Sequence, residues 1–113
     1  MNFLTSRQTK GAVVKSQMEK LDASNAPELK SELLLLNKSG VNNIVIDLSA
    51  TKYCDSSGLS AILTANRLCK DTNGSFVLCG LQSNVQKLIE IAQLDKVLQI
   101  ADNEKLALEA LNK

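Results

Sequence analysis

The chain has 113 residues, a formal net charge of +1, 44% hydrophobic and 22% charged residues, proportions that suit one soluble globular domain spanning 1–113. Its aromatic residues are Phe3, Tyr53 and Phe76, and its Lys and Arg are scattered, so base stacking and dense phosphate-backbone contact, and with them nucleic-acid binding, are excluded. There is no His, and Cys54, Cys69 and Cys79 form no Cys-x-x-Cys pair, which argues against a structural zinc site or redox motif and leaves no cofactor expected.

Taken in chain order, Asn2–Thr5 and Ala12–Met18 read as two strands joined by a turn at Lys10-Gly11. Asn25 and Glu28 have capping-box spacing, Pro27 suits a first helical turn, and Ala26, Leu29, Leu33 and Leu36 recur at helical spacing until Ser39-Gly40. The longest apolar run, Leu33–Leu36, is far too short to span a bilayer, so no direct membrane insertion is expected. Met1–Gln8 lacks a charged-then-apolar signal pattern, and the expected location is cytoplasmic.

Ile44–Leu48 is a continuous apolar strand apart from Asp47, as burial on both faces of a parallel sheet requires. A carboxylate in such a strand must find donors or lie at its exposed end. A second helix is predicted over Ser57–Lys70, with apolar residues on more than one face. Asn73-Gly74 turns the chain into a strand, Phe76–Cys79, closed by Gly80. Val85, Leu88, Ile89 and Ala92 mark a third helix, Val97–Ile100 a short last strand, and Asp102 is placed to cap a final helix carrying Leu106, Ala110 and Leu111. Strands alternating with helices predict an α/β fold: a small mixed, mostly parallel sheet of four to five strands, with about four helices packed against it and the first hairpin as antiparallel edge. Cys69 and Cys79 read as small apolar residues of this core, while Cys54 could be exposed.

Between the second strand–helix pair lies Asp55-Ser56-Ser57-Gly58. Two hydroxyls and a carboxylate at a helix mouth meet unpaired N–H groups and the positive end of the helix dipole. Spacing leaves the roles open. Ser56 or Ser57 can cap the helix or present a free hydroxyl, and Asp55 can cap it or orient that hydroxyl. Serine catalysis needs a base, and the chain has no His, no Gly-x-Ser-x-Gly, no Walker loop and no Gly-x-Gly-x-x-Gly, so an enzyme is not expected.

The run Tyr53–Leu63, with Leu21–Leu29 and Ile44–Ser49, resembles the phosphoacceptor region of STAS domains (sulfate transporter and anti-sigma factor antagonist). Within that family it is most similar to the free-standing bacterial anti-sigma factor antagonists. The resemblance covers about Ala12 to Leu111 and implies the small sheet-and-helix fold already read from periodicity. It implies that Ser56 is phosphorylated by an anti-sigma factor with serine kinase activity and reset by a serine phosphatase. Partner contacts are then expected from Asp22, Asp55, Ser57, Gly58 and Leu59, with Gly58 letting a partner approach the backbone. Where the family often carries Gly two residues before its Leu-Asp pair, this chain has Glu19. Two other readings remain: a STAS interaction module of a transporter or sensory complex, and a nucleotide carrier using the helix N-terminus.

Overall fold

The computed structural model describes residues 2–111. Strand β1 (Phe3–Arg7) pairs antiparallel with β2 (Ala12–Ser16), and β2, β4 (Ile44–Asp47), β6 (Phe76–Cys79) and β7 (Gln99–Ala101) are mutually parallel. The order is β1-β2-β4-β6-β7. A second, two-stranded sheet joins β3 (Lys20–Leu21) to β5 (Tyr53–Cys54). The helices are α1 (Ala26–Lys38), α2 (Ser56–Asp71), α3 (Ser83–Ile91) and α4 (Glu104–Ala110). The expected mixed, mostly parallel sheet with four helices is therefore the observed architecture.

Alternation along the strands divides the core. Ala12, Val14, Ile44, Ile46, Phe76 and Leu78 pack against α1, α2 and α3, whereas Val13, Val45, Val77 and Cys79 pack against Ala107 and Leu111 of the α4 segment. Both faces of the central strands are covered, which is why Ala12–Val14, Ile44–Ile46 and Phe76–Cys79 run apolar. The core draws its only aromatic side chains from Phe3 and Phe76, so its stability comes from many aliphatic residues at about 1.5–3 kcal/mol each. Asp47 is buried, at 4% exposure. Its Oδ1 accepts the Ser49 N–H at 2.9 Å, and its Oδ2 lies 4.0 Å from Lys15 Nζ. Lys15 also reaches Glu104 at 3.5 Å, so the carboxylate within the strand helps tie α4 to the sheet.

Several expected boundaries shift, each for a local reason. The second strand ends at Ser16 rather than Met18. There the Ser16 and Thr51 hydroxyls meet at 2.7 Å and Thr51 Oγ1 donates to the Met18 carbonyl at 2.8 Å, turning the chain toward β3. Asn25 does precede α1 but forms no capping box. Its side chain instead accepts the Asp22 N–H at 2.9 Å and donates to the Lys20 carbonyl at 2.8 Å, and Glu28 accepts from Asn2. The last strand starts at Gln99, not Val97, because the Val97 N–H closes a 3-10 turn onto the Leu94 carbonyl at 3.0 Å and the Leu98 N–H is held by the same carbonyl at 2.8 Å. Asn103, not Asp102, caps α4, accepting the Leu106 N–H at 2.9 Å.

Candidate functional site

The short β3–β5 sheet builds the site. Two residues per strand carry no sequence periodicity, yet they fix where α2 begins. The Glu19 carbonyl accepts the Lys52 and Tyr53 N–H groups at 2.8 and 3.0 Å, and the Leu21 carbonyl accepts the Asp55 N–H at 3.2 Å. Glu19 therefore contributes through its backbone. Asp55 then leaves the strand still extended (φ −109°, ψ −171°), and its Oδ1 accepts the Gly58 N–H at 3.1 Å. Asp55 is the N-cap of α2. A carboxylate there satisfies an orphan donor and faces the positive helix end, contributing about 1 kcal/mol.

This cap resolves the roles left open by spacing. Ser56 is the first helical residue, exposed, and its hydroxyl makes no hydrogen bond among the described residues. Ser57 is half-buried beside it. Neither serine is the cap. Gly58 is buried, and its backbone is closely approached from within the chain. A Cβ there would stand 2.5 Å from Cys54 Sγ, 2.7 Å from the Leu21 carbonyl oxygen and 3.0 Å from Leu21 Cγ. Gly58 is what allows α2 to start against β3 and β5. Leu59 is half-buried and leans on the core.

Asp22 has its carboxylate turned onto Ser24, accepting the Ser24 N–H at 3.0 Å and its hydroxyl at 2.6 Å. These bonds, the hydroxyl first, hold its carboxyl below the usual range. A lowered carboxyl favours the tied turn above the unfolded value and loses that benefit as pH falls through the folded one, so the turn is intact at neutral pH. The same residue's backbone carbonyl accepts Asn25 and Ala26 N–H at 3.1 and 2.8 Å. Asp22 thus shapes the turn that leads into α1.

Two hollows meet at Ser56. A cleft of about 270 Å³ runs between the starts of α1 and α2, lined by Ala23, Ala26, Pro27, Lys30, Ser56, Ser57 and Ser60. A groove of about 470 Å³ lies on the other side, where Ser56, Leu59, Ser60, Leu63, Thr64 and Arg67 of α2 face Ala92 and Leu94, so Ser56 and Ser60 border both hollows. Lys30 and Ser60 carry no motif signal, and sequence reasoning missed both. Only the i, i+4 spacing of Ala26 and Lys30 hinted that they share a helix face. Among the described residues no His/Cys/Asp/Glu cluster could hold a metal ion, and no helix is long and apolar enough to cross a membrane.

Cys54 is half-buried, not exposed, and burial, reinforced by the Asp55 charge, pushes its thiol up to about 11. A raised thiol is protonated below that value, and only the thiolate is nucleophilic. At pH 8, alkylation of Cys54 by iodoacetamide is expected to run about 100-fold slower than that of an unperturbed thiol, rising about tenfold per pH unit towards pH 11. Peptide mapping of a timed alkylation measures it, and a rate matching free cysteine at pH 8 would contradict the assignment. Burial likewise holds Cys69 near 11 and Cys79 near 12.

With this geometry in view, the sequence profile of the STAS domain matches residues 4–107. The chain belongs to the STAS domain family. Relatives of this STAS chain include the anti-sigma-B factor antagonist of Listeria monocytogenes, 32% identical over 85 residues and covering 74% of each chain. A Bordetella bronchiseptica protein, BtrV, provisionally named an anti-sigma factor antagonist, is 26% identical over 107 residues, covering 95% of this chain and 92% of its own. Among solved structures, an anti-sigma factor antagonist from Mycobacterium paratuberculosis superposes with a TM-score of 0.85 at 25% identity, over 98% of this chain and 93% of that one.

Proposed function

We propose that this STAS protein is an anti-sigma factor antagonist that works by partner switching controlled at Ser56. With Ser56 unmodified it binds an anti-sigma factor and so frees a sigma factor. That anti-sigma factor is also a serine kinase. It transfers the γ-phosphoryl group of ATP to Ser56 Oγ, ADP leaves, and the hydroxyl proton passes to the kinase, which supplies base and metal. The complex then separates. A phosphatase hydrolyses the phosphoester with water, releasing inorganic phosphate and restoring the hydroxyl.

The observation that carries this reading is the division of labour at the start of α2. Asp55 takes the capping role, and Ser56 is left exposed with an uncommitted hydroxyl. A hydroxyl that capped the helix would have to give up that bond to be phosphorylated; Ser56 gives up nothing. Ser57, Leu59 and the cleft wall around Ala23 and Pro27 are the surface proposed to meet the partner, while Gly58 and Asp22 act indirectly by holding the local backbone. The names of the curated relatives favour the same function.

The test is recovery of the tagged protein from its own cells, followed by phosphopeptide mapping. Phosphate on Ser56, with a kinase-like anti-sigma factor co-purifying with the unphosphorylated protein, is the expected result. An unmodified Ser56 across growth conditions, with a transporter or sensor subunit bound instead, would refute it.

A further inference from the structure

The cleft beside Ser56 contains one cation that the fold does not use. Lys30 is half-buried in its wall, and its ammonium pairs with no carboxylate among the described residues, where the ion pairs are those of Lys15. Its neighbours on the α1 side, Ala23, Ala26 and Pro27, have no side-chain acceptor to hold it. Helical side chains lean toward the helix N-terminus, and Lys30, one turn beyond Ala26, lines the same cleft as the α2 serines. Ser56 and Ser60 are four residues apart on α2 and line both this cleft and the groove bordered by Arg67, whereas Ser57 lines the cleft alone.

We propose that Lys30 is the residue that receives the phosphate on Ser56. The phosphoserine turns into the cleft, its oxygens pair with the Lys30 ammonium, and the Ser57 and Ser60 hydroxyls donate to them. This rests on the reading of Ser56 as the phosphoacceptor. Lys30 is a positioning residue: it draws the added charge onto the α1 wall that a partner would otherwise cover. The other charges nearby are arranged differently. Asp55 adjoins Ser56 and opposes the phosphate, but its carboxylate is engaged by the Gly58 N–H. Asp22 is tied to Ser24 and has Lys20 beside it. Arg67 borders the groove that Ser56 and Ser60 also line, but it stands eleven residues beyond Ser56 and so about 16 Å further along the helix axis.

A nearby cation favours the dianion and lowers the second ionisation of a phosphate. The experiment installs phosphoserine at position 56 during translation and follows its phosphorus-31 resonance against pH. No kinase is involved, so the outcome is independent of whether Ser56 is modified in the cell. The phosphate of the otherwise native protein should titrate roughly half a pH unit below that of Lys30→Met, the size expected of a partly exposed ion pair. Lys30→Arg should restore the native titration, and Arg67→Met should leave it unchanged. Coincident titrations for native and Lys30→Met protein, or equal shifts in Lys30→Met and Arg67→Met, would overturn the proposal. Unchanged urea midpoints for unphosphorylated Lys30→Met exclude a folding effect.

Discussion

Ser56→Asp is expected to bind the anti-sigma partner about tenfold more weakly than Ser56→Ala, and the Ser56-phosphorylated protein about 100-fold or more weakly. The ranking follows from charge. A phosphoserine brings nearly two negative charges and three acceptor oxygens, whereas Asp brings one charge on a shorter arm. A partner surface fitted to a neutral hydroxyl must strip water from that charge, and a penalty of a few kcal/mol is two or more decades in affinity. Asp55 already places one carboxylate at this helix mouth, so each added charge also meets repulsion. Neither substitution should alter the fold, because Ser56 is exposed and its hydroxyl holds nothing in place. Calorimetric titration against the purified partner gives the affinities, with circular dichroism as the control. Equal affinities for the Ala and Asp variants would remove the switch from the account.

The parts of this fold that sequence makes plain are those with enough residues to carry a period. Ile44–Ile46 and Phe76–Cys79 are apolar runs because helices cover both faces of the sheet. Ala26, Leu29, Leu33 and Leu36 recur at helical spacing because one face of α1 is buried. The β3–β5 sheet is different. Two residues per strand cannot show alternation, and their pairing is decided by backbone contacts across more than thirty positions of chain. The choice of N-cap was likewise undetermined, since Asp and Ser cap equally well in principle. It is settled by the extended torsions of Asp55 and the register in which the Leu21 carbonyl holds its N–H. Asp102 and Asn103 present the same ambiguity at α4, and there the second of the pair takes the role. Lys30 was invisible for another reason: a lysine on a helix is ordinarily a solvated charge, and only the cleft gives it a neighbour to act on.

Gly58→Ala separates the local preference of the helix from the demand of the site. In a helix interior Ala is favoured over Gly by up to about 1 kcal/mol, so propensity alone predicts a more stable protein. The packing predicts the reverse. The new methyl would lie 2.7 Å from the Leu21 carbonyl oxygen and 2.5 Å from Cys54 Sγ. The sulfur sits on a side chain that can rotate, but the carbonyl belongs to β3 and is fixed by the Asp55 N–H it accepts at 3.2 Å. Moving it breaks the bond that sets the start of α2. Overpacking of this kind costs about 1–3 kcal/mol, and with a backbone atom among the clashes placing it in the upper half of that range, the net expectation after the helical gain is a loss of about 1–2 kcal/mol. The urea midpoint should fall accordingly, with the slope unchanged. Cys54→Ala removes one of the two closest contacts but not the other, so the double variant should lose less stability than the sum of the single ones while staying below the native protein. Stability at or above the native level in Gly58→Ala would mean that β3 yields freely. The position of Ser56 would then not be fixed by the two-stranded sheet, and the exposure of its hydroxyl would need another cause.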